Sequence, residues 1–152
     1  MDSRPDEPAM VWTIDSFHAP HYFFPRECPR VCIWPYDKKT DKDKARFFGH
    51  SGTDRIVAIE SGWYERMCGT PIYRYAFDPE PFELYDRNAG YYTTTRTVRP
   101  AEVTRLDNLP GQLADLGIEL RITPSLLPLR DAVLSSTVNF SMIRMRNAKL
   151  TG

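Results

Sequence analysis

The chain has 152 residues, enough for one domain with a sizeable core that needs neither disulfides nor metal. Its 20 Lys and Arg balance 20 Asp and Glu, which argues against a broad basic nucleic-acid face. No apolar run approaches the roughly 18 residues of a spanning helix, and the polar start MDSRPDEPAM is no secretory signal, so the expected compartment is the cytoplasm.

Three cysteines, Cys28, Cys32 and Cys68, make an odd count. Without a secretory signal they are expected to be reduced and free of metal.

Residues 1–10 carry two prolines and four charged side chains and are expected to form a flexible arm. Val11 to Ile14 then reads as a short strand. Asp15 or Ser16 is placed to cap a short helix carrying Phe17, His18, His21 and Tyr22, which Pro25 ends. Val31 to Trp34 is apolar on both faces, as a central strand is. Tyr36 to Lys44 (YDKKTDKDK) holds three Asp and four Lys and is expected to be a solvated loop.

Arg55 to Glu60 is the clearest buried strand, followed by a helical turn from Ser61 closed by Gly69. Ile72 to Phe77 alternates, with Tyr73, Tyr75 and Phe77 on one face. Phe82 to Asp86 and Tyr91 to Thr95 are joined by Arg87-Asn88-Ala89-Gly90, a hairpin with Gly near the position needing positive φ. Tyr91 and Tyr92 stand on opposite faces, so only one can line a given cleft. Val98 to Leu106 is a strand interrupted at Pro100, and Leu109 to Leu116 a helix ended by Gly117.

Ile118 to Ile122 alternates apolar and charged residues, with its apolar face expected in the core. From Leu129 to Met145 apolar residues recur at helical spacing in two adjacent rows, one through Val133, Thr137, Phe140 and Ile143. That pattern predicts a long, mostly buried helix. Clustered strands with short helices favour an α+β fold.

No P-loop, GxGxxG, HExxH or GxSxG pattern is present, so a site must be assembled across the fold. The densest constellation runs from His18 to Arg30. His18, His21, Cys28 and Cys32 are zinc-ligand types, but their spacing matches no common zinc module, and no metal is expected. Arg26 and Arg30 flank prolines that stiffen the backbone, and their guanidinium forks suit phosphate or carboxylate. Tyr22 and Trp34 offer stacking surfaces. The competing reading has Arg26 and Glu27 in ion pairs and the aromatics in the core. For acid–base chemistry the candidates are His18, His21, Glu60, Glu83, Asp86 and Glu102. Glu60 ends the most buried strand and is equally suited to capping a helix.

Five phrases in order, VWTID, HYFFPRECPRV, FELYD..AGYY, LRITPSLLPLRDAV and NFSMIRMRNA, resemble the DUF6886 family of bacterial proteins of unknown function, over Val11 to Ala148. The resemblance implies no assigned activity. It also implies an aromatic-His segment before VWTID, where this chain has a polar arm. A looser fold-level likeness is to the ADP-ribosyltransferase and RNA phosphotransferase group, whose NAD site uses an early-strand His, a Tyr and a later acidic or polar residue. Tyr22 matches the Tyr; the early His strand has no counterpart.

The expectation is one compact α+β domain over residues 11–150, with a mostly antiparallel sheet, short helices and a packed C-terminal helix. The expected function is a nucleotide- or NAD-handling, transferase-like one. Arg26 and Arg30 would hold the phosphate of a small molecule, Tyr22 would stack on a ring, and Glu60 and His21 would be the catalytic candidates. The cofactor is not legible. The alternative is a non-catalytic binding or oligomerising domain. No membrane and no extensive nucleic-acid partner is expected; the oligomeric state is not legible.

Overall fold

The computed structural model of the chain describes residues 9–35 and 41–150. The arm expected over residues 1–10 therefore lies outside the described residues except for Ala9 and Met10, as do residues 36–40 of the charged stretch. The fold is α+β, with nine strands, four short α-helices and short 3-10 turns among the described residues. No helix among them is long and apolar enough to cross a membrane. The chain forms two compact units, residues 1–22 with 73–106, and residues 23–72 with 107–152.

The first unit carries a three-stranded antiparallel sheet. Strand β1 (Val11–Ile14) pairs with β6 (Tyr91–Thr94), which pairs in turn with β5 (Glu83–Asp86). The hairpin joining β5 to β6 turns at Gly90, whose φ of 77° lies where a Cβ is penalised. Its register slips between Leu84 and Asp86, a bulge of the kind that re-aims side chains. A separate two-stranded ribbon joins β4 (Ile72–Ala76) to β7 (Glu102–Leu106), so the interruption expected near Pro100 becomes the strand's start at Glu102.

The second unit holds a four-stranded sheet. Strand β2 (Arg30–Trp34) is central, antiparallel to β3 (Ile56–Glu60) on one side and to β9 (Asn139–Ile143) on the other; β8 (Glu119–Thr123) adds parallel to β3. Every residue of β2 and β3 is buried, as their unbroken apolar runs predict. One face, with Val31, Ile33, Ile56 and Ala58, packs with Phe47, Phe48, Leu126, Val133 and Val138. By strand alternation the opposite face carries Arg30, Cys32, Val57 and Ile59. Helix α2 (Tyr64–Gly69) and α3 (Leu109–Asp115) belong to this unit and bury Met67, Leu109 and Leu113. Asn108 caps α3 by accepting the Gly111 N–H at 3.3 Å, and Gly117 ends its turn at φ 73°.

Three expectations are corrected. The charged stretch is not all loop: Asp41–Phe48 is helix α1. Its charges mask a pair of buried aromatics, Phe47 and Phe48, and Asp43 turns inward to accept the Thr137 N–H at 2.7 Å and hydroxyl at 2.6 Å.

The long C-terminal helix is replaced by α4 (Leu127–Leu134) and strand β9. The break falls at Ser135-Ser136-Thr137. Ser135 donates to the carbonyls of Asp131 and Ala132, Ser136 donates to that of Val133, and Thr137 is held by Asp43. Such side chains offer the backbone partners other than helical ones. Beyond the break, period two places Phe140 and Met142 together, and both pack against the core cluster.

Third, Ile122 is 46% exposed although strand alternation sets it on one face with buried Ile118 and half-buried Leu120. It lies on β8, which pairs only with β3 and forms the edge of the sheet.

Candidate functional site

The first unit contains an aromatic-walled recess of about 180 Å³, lined by Trp12, Thr13, Ile14, Tyr22 and Tyr91. Its walls follow from the pairing of β1 with β6. Trp12 and Ile14 share one face of β1, and Ile14 lies opposite Tyr91. Of the two neighbouring tyrosines it is Tyr91 that lines the recess. The Trp12 ring meets Tyr91 edge-on with centroids 6.2 Å apart, and Tyr85, at the β5 bulge, meets Trp12 edge-on at 4.5 Å. Tyr22 comes from the 3-10 turn Ala19–Tyr22, and its ring is tilted against Tyr91 at 6.5 Å. The Tyr22 and Tyr91 hydroxyls are hydrogen-bonded to each other, which sets a polar edge into an otherwise apolar wall.

A carboxylate–imidazole pair stands at the end of the same two strands. The Asp15 N–H donates to the Gly90 carbonyl at 2.9 Å, closing β1 against the residue before Tyr91. Asp15 Oδ1 then accepts both the His18 backbone N–H at 2.8 Å and the His18 Nδ1 at 2.7 Å. The first bond closes the turn that leads into the 3-10 helix Ala19–Tyr22, where a helix capped at Asp15 or Ser16 and carrying Phe17 and His18 was expected; the second fixes the ring. A carboxylate only accepts, so the proton sits on Nδ1, and in the neutral ring Nε2 becomes the acceptor nitrogen. Gly90 makes room for this pair: a Cβ there would overlap His18 Nδ1 and lie 2.8 Å from Asp15 Oδ2. His21 is buried in the 3-10 turn, its ring 5.8 Å from that of His18 and its N–H on the His18 carbonyl at 3.0 Å. The fold thus gathers His18, His21 and Tyr22 in one segment.

Of the other expected site residues, Glu83, Asp86 and Glu102 are exposed on β5 and β7 of the first unit, whereas Arg26, Arg30 and Glu60 belong to the second. Arg30 is interior, 2% exposed; its Nη1 donates to the Cys28 carbonyl at 2.8 Å and its guanidinium lies 5.0 Å from the Phe24 ring centre. Arg26 is exposed, in a turn closed by the Cys28 N–H on the Pro25 carbonyl at 3.0 Å. Glu60 is 1% exposed and projects to the face of the sheet opposite Arg30. It caps, but not the helix that follows it in sequence: its Oε2 accepts the Leu126 N–H at 3.0 Å, just before α4, and both oxygens accept the Lys149 N–H at 3.1 Å.

Cys28, Cys32 and Cys68 are free thiols. Burial pushes the Cys28 thiol up to about 11 and Cys32 up to about 12, so neither is an activated nucleophile. Among the described residues no group of three or more His, Cys, Asp or Glu side chains is arranged to hold a metal ion.

Two partnerships were not read from the sequence. The Asp15–His18 pair was legible in principle from its i, i+3 spacing beside a helix start. The Tyr22–Tyr91 pair spans 69 residues and depends on the pairing of β1 with β6, which no local pattern announces.

Neither the curated proteins nor the solved structures compared with the chain contain a match. The model of the family of unknown function DUF6886 matches residues 1–148, nearly the whole chain, and the protein belongs to that family.

Proposed function

We propose that the protein handles a nucleotide or NAD in a transferase-like role, and that the recess of the first unit receives the planar ring of that ligand. The aromatic wall with a hydroxyl edge carries this reading: Trp12, Tyr22 and Tyr91 offer ring surfaces, and the Tyr22–Tyr91 hydroxyl pair offers donors and acceptors to ring substituents. The size decides how much of the ligand fits. Pockets that engulf a whole drug-sized molecule run to about 300–1,000 Å³. At about 180 Å³ the recess suits one nucleobase or nicotinamide ring, with the rest of the ligand outside it. Acid–base work falls to His18, oriented by Asp15, with His21 beside it. Glu60, committed to two backbone N–H groups, is a structural carboxylate in this reading.

Thermal denaturation with AMP, NAD and nicotinamide tests it. A ligand at a hundred times its Kd stabilises the native state by about 2.7 kcal/mol. Stabilisation is expected in the wild type and is expected to vanish in Tyr91→Ala. No stabilisation by any of the three ligands would remove the reading.

One observation favours the second reading, a binding or oligomerising domain. Tyr73 and Tyr75, exposed by 53% and 56%, share a face of the β4–β7 ribbon, whose Val103 is also exposed. Sedimentation that depends on concentration, and is lost in Tyr73→Glu/Tyr75→Glu, would establish self-association through that face.

A further inference from the structure

Two short turns of the second unit lie side by side. The first, Pro25 to Cys28, is closed by the Cys28 N–H on the Pro25 carbonyl at 3.0 Å and carries Arg26 and Glu27 at its centre. The second, Arg144 to Asn147, is closed by the Asn147 N–H on the Arg144 carbonyl at 2.9 Å and carries Arg144 and Arg146. The Asn147 side chain ties them together, donating to the Glu27 backbone carbonyl at 2.7 Å and to its carboxylate at 3.1 Å. Arg146 reaches the same carboxylate at 3.8 Å. Both turns are anchored from behind: β2 pairs with β9 through Arg30 and Ile143, and Lys149 is bound to the buried Glu60. Arg144 adopts φ 56°, a left-handed conformation uncommon outside glycine.

We propose that these two turns form a phosphate-binding site in which Arg26, Arg144 and Arg146 face one dianionic group, beyond the ring recess and independent of it. The charge count supports this ligand class. Arg146 lies 3.8 Å from the Glu27 carboxylate, and Arg26 and Arg144 belong to the same two tied turns, so three arginines and a single carboxylate fall on these turns in a chain whose formal charge is zero. The electrostatics agree: the Asn147 hydrogen bond, reinforced by Arg144, Arg146 and Arg26, holds the Glu27 carboxyl below its usual range. A planar fork with several donors matches phosphate oxygens better than a point charge does. The arrangement replaces the pair of Arg26 with Arg30 expected from the sequence, because Arg30 is interior whereas the turn of Arg26 is tied by Asn147 to the turn of Arg144 and Arg146.

The test is an NMR titration of the full chain with pyrophosphate, and separately with AMP, at low salt. Saturable shifts are expected in the amides of residues 25–28 and 144–147. Pyrophosphate alone moving them assigns a free phosphate as ligand; AMP moving them as well assigns a nucleotide phosphate; both support the site. Arg26→Ala/Arg146→Ala should weaken binding by about tenfold. Glu27→Gln, which removes the competing charge, should tighten it by about threefold. Raising the ionic strength from about 0.05 to 0.2 M should weaken it further. A Trp12→Phe control keeps the turn shifts whether or not the recess binds a ring, which separates this site from the proposed function. Absence of saturable shifts, or an affinity unchanged in Arg26→Ala/Arg146→Ala, overturns the proposal.

Discussion

The Glu60 carboxylate and the Lys149 backbone N–H are hydrogen-bonded across a sequence separation of 89 residues, with both carboxylate oxygens at 3.1 Å. The same carboxylate accepts the N–H of buried Leu126 at 3.0 Å. One interior side chain thus fastens the end of β3 to the segment before α4 and to the C-terminal segment beyond Met145–Asn147. Glu60→Ala leaves two N–H groups without this acceptor and is expected to destabilise the protein by about 2–4 kcal/mol. Glu60→Gln retains one acceptor oxygen and should cost less. Urea denaturation of the two variants measures the difference, and equal stability of Glu60→Ala and wild type would contradict the assignment.

The replacement of the expected long helix by α4 and β9 has its own signature. Phe140 packs against the core cluster from β9, whereas Leu134, at the end of α4, is 58% exposed. Phe140→Ala is therefore expected to cost about 3 kcal/mol, the lower end for a large aromatic because the site is only half-buried. Leu134→Ala should stay within about 0.5 kcal/mol. A continuous buried helix would have made both substitutions costly.

Gly90 predicts a local effect. At φ 77° a side chain is strained, and its Cβ would press on the Asp15–His18 pair. Gly90→Ala should lower stability by about 2–3 kcal/mol and displace the His18 ring resonances in an NMR spectrum. Unchanged His18 resonances would show that the pair does not depend on the missing side chain.

The buried thiols give a pH dependence of definite sign. Their folded values, about 11 for Cys28 and about 12 for Cys32, lie above the ordinary 9.0. The folded thiols keep their protons where the unfolded chain loses them. Their contribution to stability is therefore complete below about pH 9 and is lost as pH rises towards 11–12. Denaturation curves across this range should show stability falling above pH 9, with a shallower fall in Cys32→Ala. Exposed Cys68 should react first with a thiol reagent at neutral pH.

What was legible in the sequence was local. The turn at Gly90 and the unbroken apolar runs of β2 and β3 each rest on a few neighbouring residues, and both are found where expected. The α+β class followed from the clustering of such strands. The end of α4 was not legible, because Val133, Phe140 and Met142 satisfy a helical period as well as a helix, a break and a strand do; the deciding bonds come from serine hydroxyls and from Asp43, 94 residues before Thr137. Helix α1 was hidden because its polar residues outnumber the aromatic pair that it buries. The candidate site was legible in half. His21 and Tyr22 were identified from their own segment, while Tyr91 joined them only through strand pairing. Arg30 failed to signal its burial because an arginine beside a proline turn reads alike whether its guanidinium faces water or, as here, a backbone carbonyl and the Phe24 ring.

The ring-binding role of the recess is tested most directly at Trp12. Its indole N–H resonance, followed while adenosine or nicotinamide is added, should shift to saturation in the wild type. Tyr22→Ala and Tyr91→Ala each take away one wall of the recess and should abolish the shift. If the Trp12 resonance stays fixed under excess ligand while the protein remains folded, the recess does not bind such a ring and the account of its function is wrong.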